Sequence, residues 1–189
     1  MQFFKIIYSF FVDTIQTLLL ALSIFLVIYA FFGRPFQVSG ESMYPTFKNR
    51  EYILTNLIGV RFGEIERGDV IVFKAPNENN KDFIKRVIGV PGDEIVLQDG
   101  YVFVNNKKLE EGGYLGQSIK TYGGSFLHEG EKVILPTDKY FVMGDNRPFS
   151  SDSREWGLLD KSEIIGKSFY VYWPVTEMRS VGANPYTDK

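Results

Sequence analysis

The chain has 189 residues, with 21 Lys and Arg against 23 Asp and Glu, one His and no Cys. This excludes a thiol nucleophile, a disulfide framework and Cys-ligated metal sites, and a Ser-His-Asp triad could run only through His128. The net charge of -2 speaks against a dedicated nucleic-acid binder, so no nucleic-acid partner is expected; with no Cys and one His no metal is expected, and no cofactor is expected either.

The first element in chain order is an apolar run. Thr14 to Phe32 is about 19 residues without a charge, enough to cross a hydrocarbon core as a helix. Asp13 and Arg34 bracket it, and Tyr29 sits where an interfacial aromatic is favourable. A cleaved leader would be followed by small residues, whereas Phe31, Phe32, Arg34 and Pro35 follow here. Residues 1–35 are therefore read as a retained anchor segment with its span at about 14–32. Lys5 and Asp13 before the span, and Arg34, Lys48 and Arg50 after it, leave the orientation undecided by charge.

Residues 36–175 read as one mostly β, antiparallel domain. Short runs rich in Val, Ile, Phe and Tyr predict strands at Glu51–Ile58, Asp69–Phe73, Phe83–Val90, Glu94–Leu97, Tyr101–Val104, Lys132–Leu135, Tyr140–Met143 and Ser168–Trp173. Glu94–Lys107 predicts a hairpin closed at Asp99-Gly100, and Lys161-Ser162-Glu163 a short helical turn. Glu110–Gly130, with five glycines before its last residue, predicts a surface excursion that adds nothing to the core. Residues 176–189 form a tail expected to fray from Arg179.

Four patches carry chemistry-capable residues. Gly40 and Pro45 bend the chain on either side of Ser42, a turn that can expose a hydroxyl near free backbone N–H groups. Strand alternation puts Lys85 on one face with Phe83 and Val87. Such a lysine either snorkels to solvent or is desolvated into a neutral base. An unperturbed lysine is neutral in only about one molecule in 2,500 at pH 7, so the second option needs a depression of roughly 2.4 pH units. Gly144–Arg154 is dense in hydroxyls and paired charges, readable as a solvated turn or as a support for a base. Glu66–Phe73 reads as a turn feeding a buried strand, with a packing role.

Together, in this order and behind an anchor, these patches resemble the type I (leader) signal peptidases. The resemblance rests on Ser42-Met43-Tyr44-Pro45-Thr46, on Lys85 through Asp93, on Gly144 through Arg154 and on Arg67-Gly68-Asp69, and runs from the anchor to about Trp173. It implies a signal-peptidase-like fold of coiled antiparallel sheets. It also implies a Ser-Lys endopeptidase that removes signal peptides from exported preproteins, cutting after Ala-x-Ala-like residues. By resemblance, Ser42 is the nucleophile and Lys85 the general base, Ser150 orients Lys85, and Arg86, Asp145, Asp152 and Arg154 form an ionic brace. Arg147 is not counted in that brace, because Pro148 and Phe149 make its loop stiffer and more apolar.

Where many relatives carry a serine two residues before the nucleophile, this chain has Gly40. The oxyanion region is then Ser42 and Gly40, with the second donor open, as in the Gram-positive branch. The family places the catalytic domain outside the cell membrane, with the lipid bilayer as a further partner. Phe36, Val38, Tyr44, Ile84 and Val87 are candidates both for substrate pockets and for plain core. Two other readings stand beside this one: a Ser-Lys protein that cleaves itself or one partner, and an inactive membrane-tethered β-domain that binds peptides. The distance between Ser42 and Lys85 separates the last from the enzymes.

Overall fold

The computed structural model describes residues 2–32, 34–76, 81–116 and 118–181. Helix α1 runs over Gln2–Phe32, beginning well before the expected Thr14. The expected span stopped at Asp13 because that residue ends the uncharged run. The helix continues because Phe3, Phe4, Ile6, Ile7, Phe10 and Phe11 keep it apolar while Lys5 and Asp13 sit on its surface. Its stretch Gln2–Leu26 is long and apolar enough to cross a membrane, and among the described residues none of its most apolar window is buried. Residue 33 lies outside the described residues, and the chain is already extended at Arg34.

The rest is built on two antiparallel sheets. The larger comprises β1 (Arg34–Gln37), β2 (Tyr52–Asn56), β3 (Val70–Lys74), β4 (Asp82–Gly89), β9 (Lys139–Met143), β10 (Leu159–Asp160), β11 (Ile164–Trp173) and β12 (Arg179–Ser180). Its order is β1-β2-β11-β3-β4-β9-β10, with β12 added on β11. The smaller has β5 (Glu94–Gln98), β6 (Tyr101–Val104), β7 (Lys107–Lys108) and β8 (Lys132–Ile134), in the order β7-β6-β5-β8. The mostly β, antiparallel expectation behind an apolar helix holds. Every expected strand is present, Tyr101–Val104 with the expected ends and the others with ends shifted.

The hairpin closes where expected, with Gln98 opposite Tyr101 and positive φ at both Asp99 and Gly100. These are the dihedrals a two-residue turn needs to match strand twist. Lys161–Glu163 forms the expected turn, as a 3-10 helix. The strand predicted to Ile58 instead ends at Asn56. The Asn56 Oδ1 accepts from the N–H groups of Ile58 and Gly59 and so opens a short helix α2, Ile58–Phe62. A second short helix, α3, covers Ser153–Trp156, with its first turn capped by Asp152.

Two expectations are corrected. The segment at 110–130 contributes to the interior: Leu127 packs with Ile88, Leu97, Phe141 and Met143, and Leu115 and Thr121 are buried. Its glycines suggested a loose surface loop, but its leucines and one threonine face inward. The tail does not fray at Arg179, because that residue pairs as β12 and its guanidinium meets the buried Glu51 carboxylate at 2.7 and 2.9 Å. From residue 182 the tail lies outside the described residues.

Candidate active site

Ser42 sits in the turn after β1. Met43 and Phe47, both fully buried, pin that turn to the core formed with Ile53, Val70, Val72 and Val171. Asn146 holds it from the other side. Its N–H donates to Ser42 O at 2.9 Å and its side-chain amide to Glu41 O at 3.0 Å. Ser42 Oγ is thereby fixed at the rim of a cleft lined by Phe36, Val38, Ile53, Val72, Ile84 and Lys85.

Lys85 comes from β4. The residue is only 4% exposed, and Nζ donates to Ser42 Oγ at 2.6 Å, 5.5 Å from the centroid of the Phe83 ring. Burial lowers its pKa from 10.5 to about 8, against the raising influence of Asp152 and Asp145; Arg154 adds to the lowering. That is the size of depression a neutral base on this strand requires, a differential of about 3 kcal/mol between the two protonation states. Lys85 does not snorkel.

β9 pairs with β4 only from Arg86 onward, so among the described residues Asp82–Lys85 are bonded to β3 alone. Their other edge is open beside Ser42. An unpaired strand edge next to a cleft can accept an extended peptide as an added strand.

The four expected brace residues are brought together as two separate pairs. Asp145, fully buried, accepts from Arg86 Nε at 2.8 Å and Nη2 at 2.7 Å, and from the Thr46 hydroxyl. Arg86 Nη1 donates onward to Gly68 O at 2.9 Å, which gives the Arg-Gly-Asp turn its part. Asp152, also fully buried, accepts from Arg154 Nε at 2.8 Å and from the Gly144 N–H at 3.0 Å.

Three site expectations differ from what is found. Among the described residues Ser150 Oγ is buried without a hydrogen-bond partner and makes no bond to Lys85. It lies over Gly144, 2.3 Å from where a Cβ there would stand, while Lys85 is turned to Ser42. The Gly40 N–H is taken by Asn49 Oδ1 at 3.1 Å, so its backbone is not a free oxyanion donor. Gly40 has φ +91° and open space around its missing side chain, so the glycine serves the turn. Of the pocket candidates, Phe36, Val38 and Ile84 line the cleft, Tyr44 is exposed to solvent and Val87 belongs to the core.

Arg147, left out of the brace, is one of the largest fully buried side chains. Nε donates to Gly144 O at 3.0 Å and Nη1 to the Thr121 hydroxyl at 2.6 Å, and Nη2 meets the Glu111 carboxylate. Burial opposes its charge, and Glu111, Tyr114 and Asp145 more than offset that, so its pKa is raised. Glu111 was not readable as its partner, since nothing in the sequence marks it among its neighbours.

Comparison with known proteins agrees with the motifs. The family profile described as signal peptidase, peptidase S26, matches residues 11–173. Signal peptidase IB of Staphylococcus aureus (strain Mu50) is 36% identical over 178 residues, covering 88% of this chain and 92% of the relative. Signal peptidase I S of Bacillus subtilis (strain 168) is 37% identical over 168 residues, covering 87% and 90%. A crystal structure of a signal peptidase I from Enterococcus faecalis V583 aligns with 55% of this chain and 96% of its own, at 26% identity and a TM-score of 0.46. An apolar N-terminal helix fit for membrane anchoring, a serine meeting a lysine beside an open strand edge, and kinship over nearly the whole length lead to one conclusion: the chain belongs to the signal peptidase family, peptidase S26, and is a hydrolase that removes signal peptides.

Proposed function

We propose that the chain cleaves exported preproteins with a Ser42–Lys85 dyad. The observation that carries this is the 2.6 Å contact between Lys85 Nζ and Ser42 Oγ at a lysine whose pKa is lowered to about 8. At pH 7 about a tenth of such lysines are neutral, several-hundred-fold more than of an exposed lysine. The neutral amine takes the Ser42 proton as Oγ attacks the scissile carbonyl carbon. The resulting ammonium gives that proton to the leaving amine. Water, deprotonated by Lys85, then hydrolyses the acyl ester on Ser42. Among the described residues the Ser42 N–H makes no bond to a backbone carbonyl, and it supplies one oxyanion donor.

The preprotein lies as an added strand along Asp82–Lys85. Its small residues face Phe36, Val38, Ile53, Val72 and Ile84, and the cut follows an Ala-x-Ala-like sequence because larger side chains meet those walls. Arg86–Asp145 and Arg154–Asp152 act as a brace. α1 anchors the domain in the bacterial cell membrane, with the cleft on the extracytoplasmic face where exported chains emerge. The test is cleavage of a preprotein by the full chain in detergent. Ser42→Ala and Lys85→Ala should each reduce it to background while circular dichroism and melting stay cooperative. Full turnover by either variant would overturn the dyad.

A further inference from the structure

Two arginines flank the Ser42–Lys85 pair without belonging to it, and both are held by the segment between β7 and β8 that looked dispensable in the sequence. Arg147 has no exposed side-chain surface, and the nearby aspartates, Asp145 and Asp152, already hold Arg86 and Arg154. Its counter-charge is Glu111. Tyr114 joins the two arginines: its hydroxyl donates to Glu111 Oε1 at 2.7 Å, and its ring lies against the Arg86 guanidinium, 4.1 Å from the centroid.

Both arginines lead directly back to the reacting pair. Arg147 Nε bonds Gly144 O at 3.0 Å, and Gly144 is wedged so tightly that a Cβ would lie 2.4 Å from Ser42 O. Any shift of Arg147 therefore presses Gly144 on the Ser42 turn. Arg86 follows Lys85 in β4, and its guanidinium fixes the backbone from which Lys85 projects.

We propose that Glu111 and Tyr114 are positioning residues of this peptidase, holding Arg147 and Arg86 so that Ser42 and Lys85 meet at hydrogen-bond distance. This rests on the dyad reading above. The segment at 111–121 thereby works as a clamp behind the site. A buried guanidinium deprived of its carboxylate must shift or recruit another anion. Asp145 already acts electrostatically on Arg147.

That competition separates positioning from plain stabilisation. Lys85 is faced by Asp152, Asp145 and Arg154, with Asp82 on its own strand lining the same cleft. Asp145 helps keep the proton on Lys85. When Arg147 draws on Asp145, Lys85 loses its proton more readily, so the acidic limb of the kcat/KM profile moves to lower pH.

The experiment measures kcat, KM and the pH profile of the full chain in detergent, on a peptide spanning a signal-peptide cleavage site. Glu111→Gln should lower kcat by about 10- to 100-fold with little change in KM, and its acidic limb should move down in pH. Glu111→Asp, which keeps the charge, should recover much of the rate and restore the limb. Tyr114→Phe keeps the ring over Arg86 and should lose less than Tyr114→Leu. Should Glu111→Gln not fold, Glu111→Asp and Tyr114→Phe carry the same comparison. Unchanged kcat and limb would overturn the proposal, as would a loss matching only the unfolded fraction with the limb in place. Ser42→Ala in the same assay keeps the two readings apart: if it stays active the dyad fails, and if it is dead while Glu111→Gln is normal only the clamp fails.

Discussion

Lys85 and Arg86 are neighbours on one strand and are treated in opposite ways. Strand geometry sends them to opposite faces of β4. Lys85 enters a cleft with a ring, a hydroxyl and apolar walls, and among the described residues carries no direct carboxylate partner there. Arg86, equally buried, is given a bidentate carboxylate, a backbone carbonyl and an aromatic face. A buried cation stays charged where a matched anion is supplied and sheds its proton where one is withheld. The choice of side chain follows, since a guanidinium cannot serve as a base near neutral pH and an ammonium can become one.

Exchanging the two fates should produce the largest effect. Lys85→Arg keeps a long cation but removes the neutral form, and peptidase turnover should fall by about 100- to 10,000-fold. Withdrawing the anion from the other face comes next. Asp145→Asn strands the Arg86 charge and should cost about 3–5 kcal/mol in a urea denaturation series. In the wild type, kcat/KM should rise with pH through about 8, as Lys85 sheds its proton.

The same lowered pKa gives a stability effect of opposite sign to the usual salt bridge. Between about 8 and 10.5 the unfolded chain holds the Lys85 proton that the folded chain has lost, so wild-type stability climbs with pH across that window. Below it, the buried ammonium is a burden. Lys85→Met, inactive, should therefore be more stable than wild type by about 2 kcal/mol at pH 7, with the advantage shrinking by pH 10. Equal melting curves at both pH values would rule out a desolvated lysine. At the small end, Lys48→Ala should leave the denaturation midpoint in place, because the Lys48–Glu177 pair is solvent-exposed.

The sequence made the local half of this site legible and left the long-range half closed. Ser42 and Lys85 were readable because a turn between Gly40 and Pro45 and a lysine among Phe83 and Val87 are short-range patterns. The strands were readable for the same reason, and so was the Asp99-Gly100 turn. Glu111, Tyr114 and Thr121 were not, since their partner Arg147 is remote in the chain and a Gly-rich stretch looks like solvent-facing loop. Ser150 shows the converse limit. A motif supplied its role, but the hydroxyl packs over Gly144. Arg179 looked like the start of a tail because two residues of strand carry no periodicity; only the buried Glu51 gives it a place.

The passage from α1 to β1 has one more consequence. The helix ends at Phe32 and the sheet begins at Arg34, and by Phe36 and Val38 the chain already lines the cleft. With the wall of the cleft so nearly continuous with the helix, the function proposed above makes the peptidase a ruler as well as a blade. On that reading its reach above the lipid is set by a few residues of strand, and a preprotein would be cut only where its small side chains emerge at that height, whatever similar sequences lie further along.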